Sequence, residues 1–193
     1  MARKRNQPGA PNIQERILRE VIGLIARHGA DRVTHRLLAS AMKMSPGTLT
    51  YHFKGRESLI EGAFDLYMSD YSRGLDEALA ARPLTSFEEI ARFLATMTSL
   101  GPEQAELATF ECEMIANAQR DPKLKDAVMA WSAQLPRAIG SALEALGHPD
   151  AHRTANLLTA ICRGAELDVL TRGIRIDETA FRERLISVLR AGI

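Results

Sequence analysis

The stretch Val33 to Phe64 reads VTHRLLASAMKMSPGTLTYHFKGRESLIEGAF and has clear signals for where helices begin and end. Thr34 can cap a short first helix, His35 to Met42, because its hydroxyl can accept one of the free N–H groups of the first turn. Ser45 can cap a second helix in the same way. Pro46 suits the first position of that helix, because its φ is fixed and it has no N–H. The pattern predicts two short helices joined by a tight turn, a helix-turn-helix.

The second of these helices has a polar outer face, while Leu49 and Phe53 are spaced to anchor its inner face. A helix of this size fits the major groove of DNA, and hydroxyl, phenol and cationic groups donate to phosphate oxygens. The residues predicted to contact DNA are Thr34, Ser45, Pro46, Gly47, Thr48, Thr50, Tyr51, His52, Lys54 and Arg56. The alternative is a short solvated helix pair in an ordinary helical protein.

The run Thr34 to Phe53, and above all SPGTLTYHF from Ser45 onward, resembles the DNA-binding signature of the tetracycline-repressor (TetR-like) family of bacterial regulators. The strong similarity covers residues 13 to 65. The family usually has Gly at the turn where this chain has Lys43, so Lys43 must accept a left-handed backbone, at a cost of ~1 kcal/mol. The family often has an aromatic residue where this chain has Thr50, a difference that bears on which bases are recognised.

The charge of the chain is unevenly divided, although its net value is only +1. Residues 1–56 hold 11 Lys and Arg against 3 Asp and Glu, a net charge of +8, and the remaining residues hold 14 against 21, a net charge of −7. A basic head on an acidic body is typical of a protein that offers only its head to a polyanion. Residues 1–11 are predicted to form a flexible basic arm, which either lies along DNA or only solubilises the chain.

Several features of the sequence indicate the cellular compartment in which the protein is found. No apolar run follows the basic residues near the start, so no signal peptide is predicted, and no stretch approaches the ~20 apolar residues of a membrane span. The two cysteines, Cys112 and Cys162, match no metal spacing and suit a reducing cytosol. These features predict a cytoplasmic, nucleoid-associated protein that does not bind a membrane.

The rest of the chain has the pattern of successive helices, starting with a long connecting helix over residues 56–82. Thr85 begins a T-x-x-E capping box, which predicts a helix over residues 86–99. One helix is predicted over residues 122–146, with a kink at Pro136. With about nine helices and no strand alternation, the sequence predicts an all-α protein, as the family resemblance also implies.

The predicted organisation has three parts. They are the basic arm of residues 1–11, a DNA-binding helix-turn-helix domain of three helices over residues 12–65, and an effector-binding and dimerisation body over residues 66–193. The boundary between head and body is placed within the connecting helix, where no flexible linker is apparent.

The last two predicted helices have broad apolar faces. In TetR-like proteins the corresponding helices form a four-helix interface with their copies, so the resemblance implies a homodimer. The residues predicted at this interface are Leu158, Ile161, Ala165, Phe181, Leu185 and Val188. The alternative is that these faces pack only within one chain.

A second group of apolar and aromatic residues predicts a ligand cavity, because small-molecule sites are mostly apolar with a few polar groups. The predicted lining residues are Phe93, Met97, Phe110, Met114, Asn117, Trp131 and Leu135. The alternative is that they are ordinary core residues.

No catalytic, cofactor or metal-binding motif is present, and the pair His148 and His152 fits a solvated helix end better than a metal site. We therefore expect a ligand-responsive transcriptional regulator and not an enzyme. The specific expectation is a repressor released from a palindromic double-stranded DNA operator by a small apolar molecule. Two alternatives are a ligand-free DNA-organising or structural protein of the same fold, and an enzyme with an accessory DNA-binding head.

Overall fold

The computed structural model describes residues 12–99 and 101–191, with only the main chain at residues 102 and 103; the predicted arm of residues 1–11 lies outside them. The described residues form ten α-helices, one short 3₁₀ helix and no strand, so the all-α prediction is confirmed. No helix within these ranges is both long enough and apolar enough to cross a membrane.

In chain order the elements are α1 (Ile13–His28), the 3₁₀ helix (Ala30–Arg32), α2 (His35–Met42), α3 (Pro46–His52), α4 (Arg56–Ala81), α5 (Phe87–Thr98), α6 (Pro102–Ala118), α7 (Pro122–Ser132), α8 (Gln134–Ala145), α9 (Ala151–Arg172) and α10 (Glu178–Ala191). The chain divides into two compact units, Met1–Tyr67 and Met68–Ile193, and the division falls within α4.

In the first unit α1 packs against α2, and α2 packs against α3. The predicted N-caps Thr34 and Ser45 are confirmed, because their side chains accept from Leu37 N and Thr48 N. The side chain of Asn12 caps α1 in the same way by accepting from Glu15 N. The fully buried apolar side chains of this unit include Ile17, Val21, Ile25, Leu38, Leu49, Leu59, Ala63 and Phe64. Local capping therefore sets where each short helix begins, and this small core holds the helices together.

In the second unit α9 packs against α8, α5 and α6, while α10 packs against α5. One apolar cluster connects α5, α8, α9 and α10, with Ile90, Leu94, Ile139, Leu143, Leu158 and Leu185 at its centre. The helix α6 packs mainly against α7 and α9. This arrangement places the faces of α6, α7 and α9 next to one another.

Two predicted helix boundaries are wrong. The cap of α5 is Ser86, one residue later than predicted, and Thr85 instead donates both N–H and Oγ1 to the Glu89 carboxylate. The single helix predicted over residues 122–146 is two helices, α7 and α8, which meet at Ala133. Pro136 thus falls in the first turn of α8, where its missing N–H is tolerated, and not in the middle of a kinked helix.

Candidate functional sites

The turn between α2 and α3 has the strained residue that the sequence predicts. Lys43 lies in the left-handed region, with φ 52° and ψ 42°, and its N–H donates to the Ala39 and Ser40 carbonyls. Ser45 then caps α3, and Leu49 is fully buried beneath it. The helix α3 is therefore fixed at its start by a cap and from below by an apolar anchor.

The outer side of α3 is open to solvent. Tyr51 is 85% exposed, with its ring edge-on to that of His52 at a centroid distance of 5.2 Å. Thr50 donates its hydroxyl to the Pro46 carbonyl at 3.0 Å, and the hydroxyls of Thr48 and Ser45 lie 2.9 Å apart. Since each threonine oxygen keeps a free lone pair or a rotatable proton, both can still exchange a hydrogen bond with a base edge or a phosphate.

Most of the predicted DNA-contacting residues are exposed to solvent. The exposed ones are Thr34, Ser45, Pro46, Gly47, Thr48, Thr50, Tyr51 and Lys54, while His52 and Arg56 are half-buried. Hydroxyl, phenol and ammonium groups together provide the donors that phosphate oxygens and base edges accept. The exposed surface of α3 is therefore chemically suited to a DNA groove.

Arg56 is engaged within the head. Its Nε donates to the Val33 carbonyl at 3.1 Å, and its Nη2 donates to the Ala30 carbonyl at 2.7 Å and to Asp31 Oδ1 at 3.2 Å. These bonds tie the start of α4 to the segment that precedes α2. The predicted contact between Arg56 and DNA thus competes with three hydrogen bonds inside the protein.

A second link holds α3 from its other end. His35 Nε2, at the first position of α2, lies 3.1 Å from the carbonyl oxygen of Phe53, which follows α3. A ring N–H in that position donates to the carbonyl. This link could not be predicted from the sequence, because the two residues lie 18 positions apart and no local pattern connects them.

The residues predicted to line a ligand cavity do not lie together around an opening. Phe110 and Met114 have no exposed surface, and Asn117 donates its amide to the Glu113 carbonyl at 2.8 Å. Phe93 and Leu135 pack against the apolar cluster, and Met97 is 37% exposed. Only Trp131 lines the cavity described next.

A cavity of about 110 Å³ lies where α6, α7 and α9 meet; we call it the α6/α7/α9 cavity. Its lining residues are Ala108, Glu111, Cys112, Ile115, Trp131, Arg163, Glu166, Leu167 and Leu170. The Trp131 ring packs edge-on against that of Tyr71 at a centroid distance of 5.5 Å. The α6 residues repeat at helical spacing on one stripe, next to the stripe that carries Phe110 and Met114.

Burial affects two ionisable groups at this cavity. It raises the pKa of Glu166 to about 7; the neighbouring Glu111 raises this pKa further and Arg163 lowers it. Burial likewise raises the pKa of Tyr71 to about 12, assisted by Glu111. Neither Glu111 nor Glu166 could be predicted as a site residue from the sequence, because a charged residue on a helix usually faces solvent and only tertiary packing buries it.

The predicted dimer residues differ in their burial. Leu158 and Leu185 are buried within the single chain, so they are not available to a partner, and that part of the prediction is wrong. Ile161, Phe181 and Val188 are half-buried at the edge of the same cluster, and Ala165 is also half-buried.

The two histidines considered as a metal pair, His148 and His152, have different surroundings. His148 is buried and its Nδ1 accepts from the Asp150 N–H, whereas His152 is exposed with Nε2 3.8 Å from Glu144. Across the part of the chain that the structure describes, no group of three or more His, Cys, Asp or Glu side chains could hold a metal ion.

Three solved structures of similar fold are described as transcriptional regulators. A TetR transcriptional regulator of Legionella pneumophila has a TM-score of 0.73 at 18% identity, with 96% of this chain and 99% of that chain covered. A regulator of Streptomyces coelicolor A3(2) has a TM-score of 0.66 at 27% identity, with 93% and 99% covered. A regulator of Saccharomonospora viridis, solved with choline, has a TM-score of 0.70 at 21% identity, with 92% and 95% covered.

Family models agree with the structural likeness, although no curated protein matches the chain. The model for bacterial regulatory proteins of the tetR family matches residues 17–63, which contain α2 and α3. The model for the tetracyclin repressor-like C-terminal domain matches residues 75–191, more than half of the chain. The chain therefore belongs to the TetR family of bacterial transcriptional regulators, which act by binding DNA.

Proposed function

We propose that this regulator is a homodimeric repressor that leaves its operator when a small molecule binds in the α6/α7/α9 cavity. The observation that carries the DNA-binding part is the exposed outer surface of α3, which is capped by Ser45 and anchored by Leu49. In this proposal α3 enters the major groove, Thr48 and Thr50 contact base edges, and Tyr51 and Lys54 contact phosphates.

The dimer part of the proposal rests on α9 and α10. Homodimers are typical of the family, and one head touches only one half-site, so a two-fold axis supplies the second. Ile161 and Ala165 on α9 and Phe181 and Val188 on α10 are half-buried in the single chain, and a partner's α9 and α10 would complete their burial. The operator would then be palindromic, with half-sites about one helical turn or a multiple of it apart.

The ligand part rests on the cavity and on one solved relative. The Saccharomonospora viridis protein holds choline, so a protein of this fold accommodates a small molecule. In this chain the ligand would contact Ile115, Leu167 and Leu170, an apolar surface typical of small-molecule sites. Such a ligand releases the operator only if it binds the DNA-free state more tightly than the DNA-bound state.

One observation favours the alternative of a ligand-free DNA-organising protein. Phe110 and Met114, at the centre of the predicted ligand site, are fully packed, and the α6/α7/α9 cavity is smaller than most drug-sized ligand sites. That alternative predicts binding to many DNA sequences with similar affinity. The repressor proposal instead predicts one preferred palindrome.

Selection of DNA sites from a random library distinguishes the two. We expect one two-fold symmetric site, protected on both half-sites in a footprint, and lower expression from a reporter promoter that contains it. Broad binding without a preferred site would favour the DNA-organising protein. Higher reporter expression would show an activator and contradict the repressor.

A further inference from the structure

The hydroxyl proton of Thr50 is used inside α3. Thr50 Oγ1 donates to the carbonyl oxygen of Pro46, about one helical turn earlier, at 3.0 Å. A threonine hydroxyl has one proton and two lone pairs, so this bond occupies the proton and leaves the oxygen able to accept. Thr50 is exposed, whereas its neighbour Leu49 is fully buried and anchors the helix from below. Thr50 therefore presents an acceptor to a partner in the solvent.

Turning the Thr50 proton toward DNA would have a cost. The Pro46 carbonyl would lose its bond to the hydroxyl, and the net contribution of such a bond corresponds to about two- to ten-fold in an equilibrium constant. A partner that donates to Thr50 Oγ1 leaves this bond in place, and a hydroxyl oxygen that already donates is a stronger acceptor. Thr50 is thus better suited to a donor group of DNA than to an acceptor group.

The neighbouring pair of Ser45 and Thr48 does not have this restriction. Their hydroxyl oxygens lie 2.9 Å apart, and either one can donate to the other. The pair carries two hydroxyl protons and this contact uses one of them, so one O–H can still donate to a base or a phosphate. Two exposed threonines of one helix, Thr48 and Thr50, therefore differ in what they can recognise.

The major groove of DNA presents few donors. The exocyclic amino groups, N6 of adenine and N4 of cytosine, donate there, whereas N7 and O6 of guanine, N7 of adenine and O4 of thymine accept. Phosphate oxygens also accept. The bond from Thr50 to Pro46 consequently disfavours the phosphates and most polar groups of the groove as partners of Thr50, and favours the amino groups.

We propose that Thr50 is a specificity-determining residue that accepts a hydrogen bond from an exocyclic amino group in the major groove, N6 of adenine or N4 of cytosine, while its own proton stays on the Pro46 carbonyl. This inference rests on the proposed function, in which α3 enters the major groove, and it adds the class of base group that Thr50 recognises.

The test uses the full-length protein and its selected operator. Thr50→Val removes the hydroxyl but keeps the branched shape and a methyl group. The affinity of this variant for every single base-pair variant of the operator locates the position at which the preference changes. At that position the amino group alone is then removed, with purine in place of adenine or pyrimidin-2-one in place of cytosine. The base that requires replacement distinguishes an adenine contact from a cytosine contact.

We expect removal of the amino group to weaken binding by the wild-type protein about three- to ten-fold more than binding by Thr50→Val. This excess is the coupling between the hydroxyl and the amino group, because the weaker base pairing of the analogue affects both proteins equally. The 7-deaza analogue of the purine in the same base pair lacks the N7 acceptor and should affect both proteins equally. Thr50→Ser retains a hydroxyl and should restore the coupling.

Thr48→Val is the matched comparison, because Thr48 is also an exposed threonine of α3. It should change the preference at another position and leave the coupling between Thr50 and the amino group unchanged. Circular dichroism of both valine variants checks that the head remains folded, which we expect because threonine and valine are both β-branched.

The outcomes separate this inference from the proposed function. Coupling of Thr50 to the N7 acceptor, in place of the amino group, would show that Thr50 donates and would overturn the inference. An unchanged base preference in Thr50→Val would also overturn it, even if Thr50→Ala changes the preference, because a methyl contact would then explain the role of Thr50. In both cases a changed preference in Thr48→Val would leave the proposed function standing. A wild-type protein that selects no DNA site would contradict the proposed function itself.

Discussion

Arg56 offers a test of how the DNA-binding head is held together. Replacing it with alanine removes two charge-assisted hydrogen bonds to the carbonyls of Ala30 and Val33, residues that are themselves buried. Such a bond is worth ~1.5–3 kcal/mol when fully buried, and about 1 kcal/mol here because the Arg56 side chain is 36% exposed. The pair with the 82% exposed Asp31 adds at most ~0.5 kcal/mol.

We therefore expect Arg56→Ala to lower the free energy of unfolding of the head by roughly 2 kcal/mol. Arg56→Lys should lower the free energy of unfolding by about half as much, because a single ammonium group cannot donate to both carbonyls in the way that the planar guanidinium group does. Urea denaturation followed by circular dichroism measures both changes. Operator affinity should fall in both variants, with an unchanged dependence on salt concentration, since no phosphate contact is lost.

Lys54→Ala is the matched control, because Lys54 is exposed and lies two residues away. It should leave the free energy of unfolding unchanged and reduce the salt slope of operator binding by about one. An Arg56→Ala variant with wild-type stability and a reduced salt slope would refute the structural role, and would show that Arg56 contacts phosphate directly.

Three further predictions concern single residues. Lys43→Gly should raise the free energy of unfolding by roughly 0.5–1 kcal/mol in urea denaturation, because glycine accepts the left-handed φ of 52° without strain; a lower value would contradict this. The pKa of Glu166 is about 7 in the folded chain against 4.5 without the fold, so its contribution to stability is complete below about pH 4.5 and is lost as the pH rises to about 7. Glu166→Gln should remove that part of the pH dependence of unfolding, and an identical pH profile would count against it. Ile161→Glu should yield folded monomers in sedimentation, whereas Leu158→Glu should unfold the chain because Leu158 is buried; a folded Ile161→Glu dimer would remove α9 from the interface.

The head could be predicted from the sequence because its signals are local. Thr34, Ser45 and Pro46 act on the turn that immediately follows each of them, and all three have their predicted roles. Lys43 likewise adopts the left-handed conformation that the resemblance required of it.

The role of Arg56 could not be predicted in this way. A basic residue just after a recognition helix is typical of a phosphate contact, so the sequence predicts that Arg56 binds DNA. The carbonyl partners of Arg56 lie 23 and 26 positions away in the sequence, so no local pattern indicates them. Only the packing of α4 beside the segment before α2 brings them within hydrogen-bonding distance.

The cavity is a similar case in the body. Helical spacing indicates that Phe110 and Met114 share one stripe of α6 and that Glu111 lies on another, but not which stripe meets which neighbour. The break at Ala133 sets the end of α7, and Trp131 lies there. Pro136 predicted a kink within one long helix, whereas α7 ends at Ser132 and α8 begins at Gln134, so the local pattern did not determine where the helix is interrupted.

We propose that α3 recognises DNA bases through its exposed side chains. This is tested by the affinity of the protein for every single base-pair variant of its selected operator, measured at fixed salt. For Thr48→Ala and Thr50→Ala we predict that the preference changes at defined positions, symmetrically in both half-sites. For Tyr51→Ala we predict a uniform loss with the wild-type preference intact. Wild-type preference and affinity in all three variants would contradict the assignment of α3 as the recognition helix.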